Sequence, residues 1–289
     1  MLKWIVTGLV VLAWPVWADS QTVELRDRSY VIDLPTQAKG APIILALHGG
    51  GGNPDQFASN SGFSKPALRQ GYAVIYPAGS GRLAKLLTWN GGYCCAYAAQ
   101  ANIDDVAFLD AVVADAAQKF GLDAARVYVT GMSNGGLMAE FYGALRPGSV
   151  KAVASVSGSL DVEHTRIRGP VPLLHIHGTA DTNVPYAGGI GTDGKQATDW
   201  SSVDEVIAAF VRAAGEDLTK SSRVIDPKAD ETRVIVTDYT DAGGQVVIRL
   251  MAVEGGGHAW PGSRRSAKQG GTADIDGNTE VLRFFALYP

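Results

Sequence analysis

The sequence predicts an α/β protein with a mostly parallel central sheet and helices on both faces. Three observations predict it. Short apolar runs without polar alternation recur along the chain, as expected of strands buried on both sides. Stretches of helical periodicity lie between those runs. The two kinds of element alternate in order, which is the pattern of βαβ units.

Taken in order, Thr22 to Leu25 and Tyr30 to Leu34 read as a short hairpin turned at Arg26 to Ser29. Pro42 to Leu47 (PIILAL), Tyr72 to Tyr76 (YAVIY) and Arg126 to Thr130 (RVYVT) follow as buried strands. Val150 to Val156 and Val171 to Ile176 continue the series, and Arg233 to Thr237 and Val246 to Val253 come late. Asp104 can cap a helix that places Val106, Leu109, Val113, Ala116 and Phe120 on one face and ends at Gly121. Further helices are expected from Asn134 to Leu145, Val203 to Ala214 and Asp276 to Leu287. Two segments, Gly79 to Ala101 and Gly188 to Ser202, match neither period; long loops in a compact domain often form pocket walls.

The 289 residues, 46% hydrophobic and 19% charged, suit one globular domain large enough to bury a core without cross-links. Residues 1–18 differ in kind. Lys3 precedes an apolar run from Trp4 to Trp17, and Val16-Trp17-Ala18 presents small residues where a signal peptidase reads them. A cleaved signal peptide over 1–18 and a catalytic domain over 19–289 are therefore expected, with a secreted or periplasmic product. Pro15 and the short span disfavour a membrane anchor, so no stable membrane association is expected after cleavage. A net charge of −4 argues against a nucleic-acid partner. The only two cysteines are adjacent, Cys94 and Cys95; a vicinal disulfide and two buried thiols are both open readings.

Chemistry concentrates at Gly131-Met132-Ser133-Asn134-Gly135-Gly136, the single G-x-S-x-G of the chain. It lies between a strand and a helix, the setting of a nucleophile elbow, so Ser133 is the candidate nucleophile of an α/β-hydrolase fold. In that fold the acid and then the histidine follow the serine. Asp181 follows the strand that ends at Ile176, and His258 follows the last strand in Gly255-Gly256-Gly257-His258. Asp238 is the rival acid. His164 lies in a charged loop and reads as solvated, and His175 and His177 share one sheet face and read as core packing rather than as a metal pair. An oxyanion needs two backbone donors: the Asn134 amide and one from His48-Gly49-Gly50-Gly51-Gly52-Asn53, with Gly50 first and Gly51 second. This chemistry calls for no metal and no organic cofactor.

The chain resembles secreted esterases grouped with feruloyl esterases and poly(3-hydroxybutyrate) depolymerases. The matching stretches are LHGGGGN (47–53), WNGGYCC (89–95), IDDVAFL (103–109), GMSNGG (131–136), HGTAD (177–181), VPY (184–186) and GGGHAWPG (255–262). The resemblance implies a Ser133, Asp181, His258 triad, and it implies that Trp89, Asn90 and Trp260 lie near the pocket. An aromatic wall there would suit a phenolic acyl group. Many relatives carry Cys where this chain has Gly50. The expected substrate is a small or oligomeric ester: a hydroxycinnamoyl ester of plant polysaccharide, or else a hydroxybutyrate oligomer or other short-chain ester. A non-catalytic binding protein of the same fold and a peptidase are the weaker readings.

Overall fold

A computed structural model describes residues 20–194, 197–215 and 217–289. The expected signal peptide, residues 1–18, lies outside the described residues. In chain order the strands are β1 (Gln21–Leu25), β2 (Arg28–Asp33), β3 (Pro42–Leu47), β4 (Ala73–Pro77), β5 (Asp123–Met132), β6 (Ala152–Val156), β7 (Leu173–Gly178), β8 (Gly189–Ile190), β9 (Asp199–Trp200), β10 (Thr219–Ile225), β11 (Arg233–Thr240) and β12 (Val246–Glu254). The helices are α1 (Pro54–Ser61), α2 (Ser64–Arg69), α3 (Ala96–Gln100), α4 (Asp105–Phe120), α5 (Asn134–Leu145), α6 (Val203–Ala214) and α7 (Gly277–Phe285).

Ten strands form one sheet in the order β1-β2-β4-β3-β5-β6-β7-β12-β11-β10. Its centre, β4-β3-β5-β6-β7-β12, is wholly parallel. Antiparallel strands finish both edges: β2 and β1 on one side, β11 and β10 on the other. The chain steps from β3 outward to β4 and returns to β5 on the other side of β3. That reversal opens a crevice at the carboxyl ends of β3 and β5, where open α/β sheets bind their ligands.

Alternate residues of each strand feed two core layers. Ile43, Leu45 and Leu47 of β3 pack with the apolar faces of α4, α5 and α6, including Leu109, Val112, Leu137 and Phe210. Ile44 and Ala46, pointing the other way, pack with α1, α2 and α7 through Phe57, Ala67, Phe284 and Phe285. This period of two on a sheet covered by helices on both faces is why the strands read as continuous apolar runs.

Local signals set the helix ends. Asp104 caps α4 by accepting from Ala107 N at 2.9 Å, and Gly121 closes it in the left-handed region at φ 68°. Ser202 and Glu205 form a reciprocal capping box at the start of α6. Helix α5, like the short α2 and α3, starts without a side-chain cap; its N-cap is Ser133. Cys94 and Cys95 form a vicinal disulfide just before α3.

Candidate active site

Strand β5 delivers Ser133 into a turn at φ 58° and ψ −125°, a conformation that costs a non-glycine residue roughly 1–3 kcal/mol. Its surroundings hold it there. A Cβ on Gly131 would collide with the Gly135 carbonyl, and one on Gly135 would collide with the Leu47 carbonyl, so β5, α5 and β3 approach closely only because both positions are glycine. The Ser133 N–H donates to Val156 O at 2.8 Å, which fixes the turn against β6. Ser133 Oγ has no hydrogen-bond partner among the described residues and remains uncommitted at the start of α5. The positive end of the helix dipole lies there.

Asp181 follows β7 in a turn of its own. Its Oδ1 accepts from Asn183 N at 2.8 Å and from Val184 N at 2.9 Å, and its Oδ2 accepts from His258 Nδ1 at 2.7 Å. A second imidazole, His177 Nε2, stands 3.4 Å from the same Oδ2. Burial by itself pushes this carboxyl up, but hydrogen bonds and attraction from His177 and His258 outweigh it and hold the group well below the usual carboxylate range. Asp181 is therefore ionised. Because His258 donates from Nδ1, its Nε2 carries the lone pair.

The loop bearing His258 docks on β7 through paired backbone contacts. Thr179 N donates to Val253 O at 2.9 Å and Ala180 N to Gly256 O at 2.8 Å. A side chain at Gly178 would collide with Gly256 and Gly257. The structure thus joins Asp181 to His258 directly and sets Ser133 at a strand end of the same edge of the sheet. No hydrogen bond between Ser133 Oγ and the His258 ring is present among the described residues.

The glycine loop after β3 meets α5 where expected. A Cβ on Gly50 would lie 3.4 Å from the Asn134 Cβ. The Gly51 N–H is taken by Leu87 O at 2.8 Å and the Gly52 N–H by Gly49 O at 3.0 Å. Of the two glycines favoured as oxyanion donors, Gly51 is therefore spent on bracing the loop, and among the described residues the turn and loop hydrogen bonds include none from the Gly50 N–H. His48 braces the loop from below. Its Nε2 accepts from Gly79 N at 3.0 Å, so its Nδ1 carries the proton donated to Gly49 O at 2.9 Å. Burial lowers its pKa from 6.5 to about 4.

Of the three residues expected near the pocket, the two tryptophans form no exposed aromatic wall. Trp89 and Trp260 are both 0% exposed. The Trp89 indole N–H donates to His48 O at 2.9 Å, and that of Trp260 donates to Asn278 Oδ1 at 2.9 Å. Large apolar rings with satisfied N–H groups are more stable in the core than on a pocket wall, and here they anchor loops. Asn90 likewise spends its amide on Ile103 O at 3.0 Å. The neighbouring Arg28–Asp105 ion pair, at 2.7 Å, pins this region, with Asp105 Oδ2 also accepting from Asn90 N at 2.7 Å.

The rival acid is elsewhere. Asp238 sits on β11 between Arg249 and Arg223, at 2.6 and 2.7 Å. His164 is exposed and pairs with Asp161 at 3.1 Å. His175 and His177 are buried in the core, as read, but they are also wired to the site: His177 reaches Asp181, a contact that strand alternation alone gave no reason to expect. Among the described residues no helix is long and apolar enough to cross a membrane.

Residues 28–169 match the family model described as Esterase PHB depolymerase. The chain is 31% identical over 242 residues to the putative esterase NocK of Nocardia uniformis subsp. tsuyamanensis, over 79% of this chain and 68% of that protein. It is 28% identical over 245 residues to feruloyl esterase B of Piromyces equi, over 80% of this chain and 42% of that one, so it spans less than half of that relative. Among solved structures, the acetyl xylan esterase from Aspergillus awamori shares the fold at a TM-score of 0.63 and 16% identity, covering 93% of this chain and all of that one.

Proposed function

From the premise that the chain belongs to the esterase family of the poly(3-hydroxybutyrate) depolymerases and feruloyl esterases, and is a carboxylic ester hydrolase, we propose that it works by two-step acyl transfer through Ser133, His258 and Asp181. One observation carries this: the ionised, fully hydrogen-bonded Asp181 carboxylate receives the Nδ1–H of His258 at 2.7 Å, which leaves Nε2 as the base. His258 Nε2 takes the Ser133 proton as Oγ attacks the ester carbonyl. The Gly50 and Asn134 amides hold the oxyanion, a contribution typically worth about 3 kcal/mol per donor. His258 then passes the proton to the departing alcohol, and water, activated by the same ring, releases the acid and regenerates Ser133.

The proposed substrate is a hydroxycinnamoyl ester of plant polysaccharide, which the 28% identity to the feruloyl esterase of Piromyces equi supports. A hydroxybutyrate oligomer is the second reading, supported by the family match over residues 28–169. The chain acts after export, directed by residues 1–18. The test is product release from methyl ferulate and from 3-hydroxybutyrate oligomers, with Ser133→Ala as control. Faster turnover of the ferulate supports the first reading, and faster turnover of the oligomers supports the second. Full activity of Ser133→Ala, or no labelling by a serine-directed phosphonate, would overturn the mechanism.

A further inference from the structure

A buried chain of titratable side chains runs behind the acid and takes no part in the steps above. Glu140, on α5 two turns past Ser133, is 0% exposed, as is His175, and His177 is 1% exposed. Glu140 Oε1 lies 2.7 Å from His175 Nδ1, His175 Nε2 lies 3.0 Å from His177 Nδ1, and His177 Nε2 lies 2.8 Å from Val184 O and 3.4 Å from Asp181 Oδ2. Burying three ionisable groups is costly unless each is paired, so this row calls for an explanation.

Proton positions follow from the acceptors. Val184 O and the Asp181 carboxylate can only accept, so His177 Nε2 bears a hydrogen aimed at both. With burial disfavouring its charged form, His177 is neutral, and its Nδ1 is a lone pair. His175 must then donate from Nε2. At the far end, two lone pairs cannot face each other at 2.7 Å, so one proton sits between His175 Nδ1 and Glu140 Oε1. The bonds from His175 to His177 and from His177 to Asp181 therefore both point toward Asp181.

We propose that Glu140, His175 and His177 form a positioning relay that runs from the helix carrying Ser133 to the carboxylate serving His258. It locks His177 in the Nε2–H tautomer so that this hydrogen orients Asp181 Oδ2 and draws off part of its charge. The proposal rests on the triad reading given above. His175 acts only through His177, and Glu140 only through both. The titratable groups facing Asp181 are His177, at the end of its own strand, and His258 from the loop after β12. At the other end Glu140 faces His175, with Tyr93 of the 89–95 loop nearby.

Two pairs of variants test this. His177→Phe keeps a flat ring but donates nothing, whereas His177→Gln can donate from its amide. Glu140→Leu removes the group that shares this proton with His175 Nδ1, whereas Glu140→Gln supplies an N–H to His175 Nδ1. The relay predicts that His177→Phe and Glu140→Leu lower kcat about tenfold at unchanged KM, as loss of a hydrogen bond to a charged group would. It also predicts that the acid limb of kcat/KM moves to higher pH, because a less dispersed Asp181 charge makes His258 the stronger base. Both Gln variants should restore kcat and the limb. A buried row that only supports the fold would lower thermal stability without moving the limb, and that result would overturn the proposal. Should the apolar variants not fold, the tautomer of His177 in the 15N-histidine-labelled wild-type protein decides: Nε2–H supports the relay and Nδ1–H overturns it. An active Ser133→Ala would instead sink the triad reading itself, so the two failures are distinguishable.

Discussion

Asn134 and Trp89, 45 positions apart, hold each other by a reciprocal pair of hydrogen bonds: Trp89 N donates to Asn134 Oδ1 at 2.7 Å, and Asn134 Nδ2 donates to Trp89 O at 3.0 Å. The residue after Ser133 thus braces the 79–101 loop with its side chain. Asn134→Ala keeps the backbone amide but strands two buried backbone groups. Unfolding in urea should show a loss of about 2–4 kcal/mol, with the ester hydrolysis rate falling much less than in Ser133→Ala. An unchanged urea midpoint would contradict the bracing role.

The positive φ of Ser133 implies a local stability cost. Ser133→Gly removes the Cβ that makes φ 58° unfavourable, so it should unfold at a higher temperature than Ser133→Ala by an amount equivalent to about 1 kcal/mol. Both should be inactive. Scanning calorimetry of the two variants checks this; equal melting temperatures would mean that the turn is unstrained.

Acid should weaken the fold in two adjoining windows. The pKa of His48 is about 4 folded against 6.5 ordinarily, so between those values the unfolded chain binds the proton more readily. This stability is fully present above pH 6.5 and is lost as pH falls toward 4, to the extent of about 3 kcal/mol. Buried His177 acts in the same direction. Asp181, held below the carboxylate range, contributes stability above its ordinary 3.8 that is lost only at lower pH. Urea midpoints measured from pH 7.5 to 4 should fall for the wild type and fall less for His48→Gln; parallel curves would rule the His48 contribution out.

The Arg28–Asp105 pair is a buried anchor, with the Arg28 guanidinium also stacked 3.5 Å over the Phe108 ring. Arg28→Leu leaves the Asp105 carboxylate in the core without its cation. A loss of about 3–5 kcal/mol is expected, and Arg28→Leu with Asp105→Asn should recover much of it. Chemical denaturation of the single and double variants measures the coupling, and strict additivity would argue against the pair as the anchor.

Much of this architecture was legible before folding. The central strands, α4, α5, α6 and α7 announced themselves by period and caps, because a strand covered on both faces must be apolar throughout and a half-buried helix must show a stripe. Strand β10 did not. Its sequence, TKSSRVI, is almost wholly exposed at the sheet edge, so nothing in its pattern demands burial. Helices α1 and α2 are short and were missed for want of a long enough apolar face.

For the candidate site, the linear sequence by itself determined the candidate side chains and their order, because glycines beside Ser133 and after β3 are required locally by backbone sterics. Partnership was decided only by tertiary structure. Asp181 rather than Asp238 receives His258 because β7 and β12 are neighbours in the sheet, while Asp238 is neutralised by two arginines. Trp89 and Trp260 went to the core because only the packed fold shows which indole N–H finds an internal acceptor. The row from Glu140 to Asp181 links α5 to β7, and contacts between residues 35 positions apart, as Glu140 and His175 are, leave no periodicity to read.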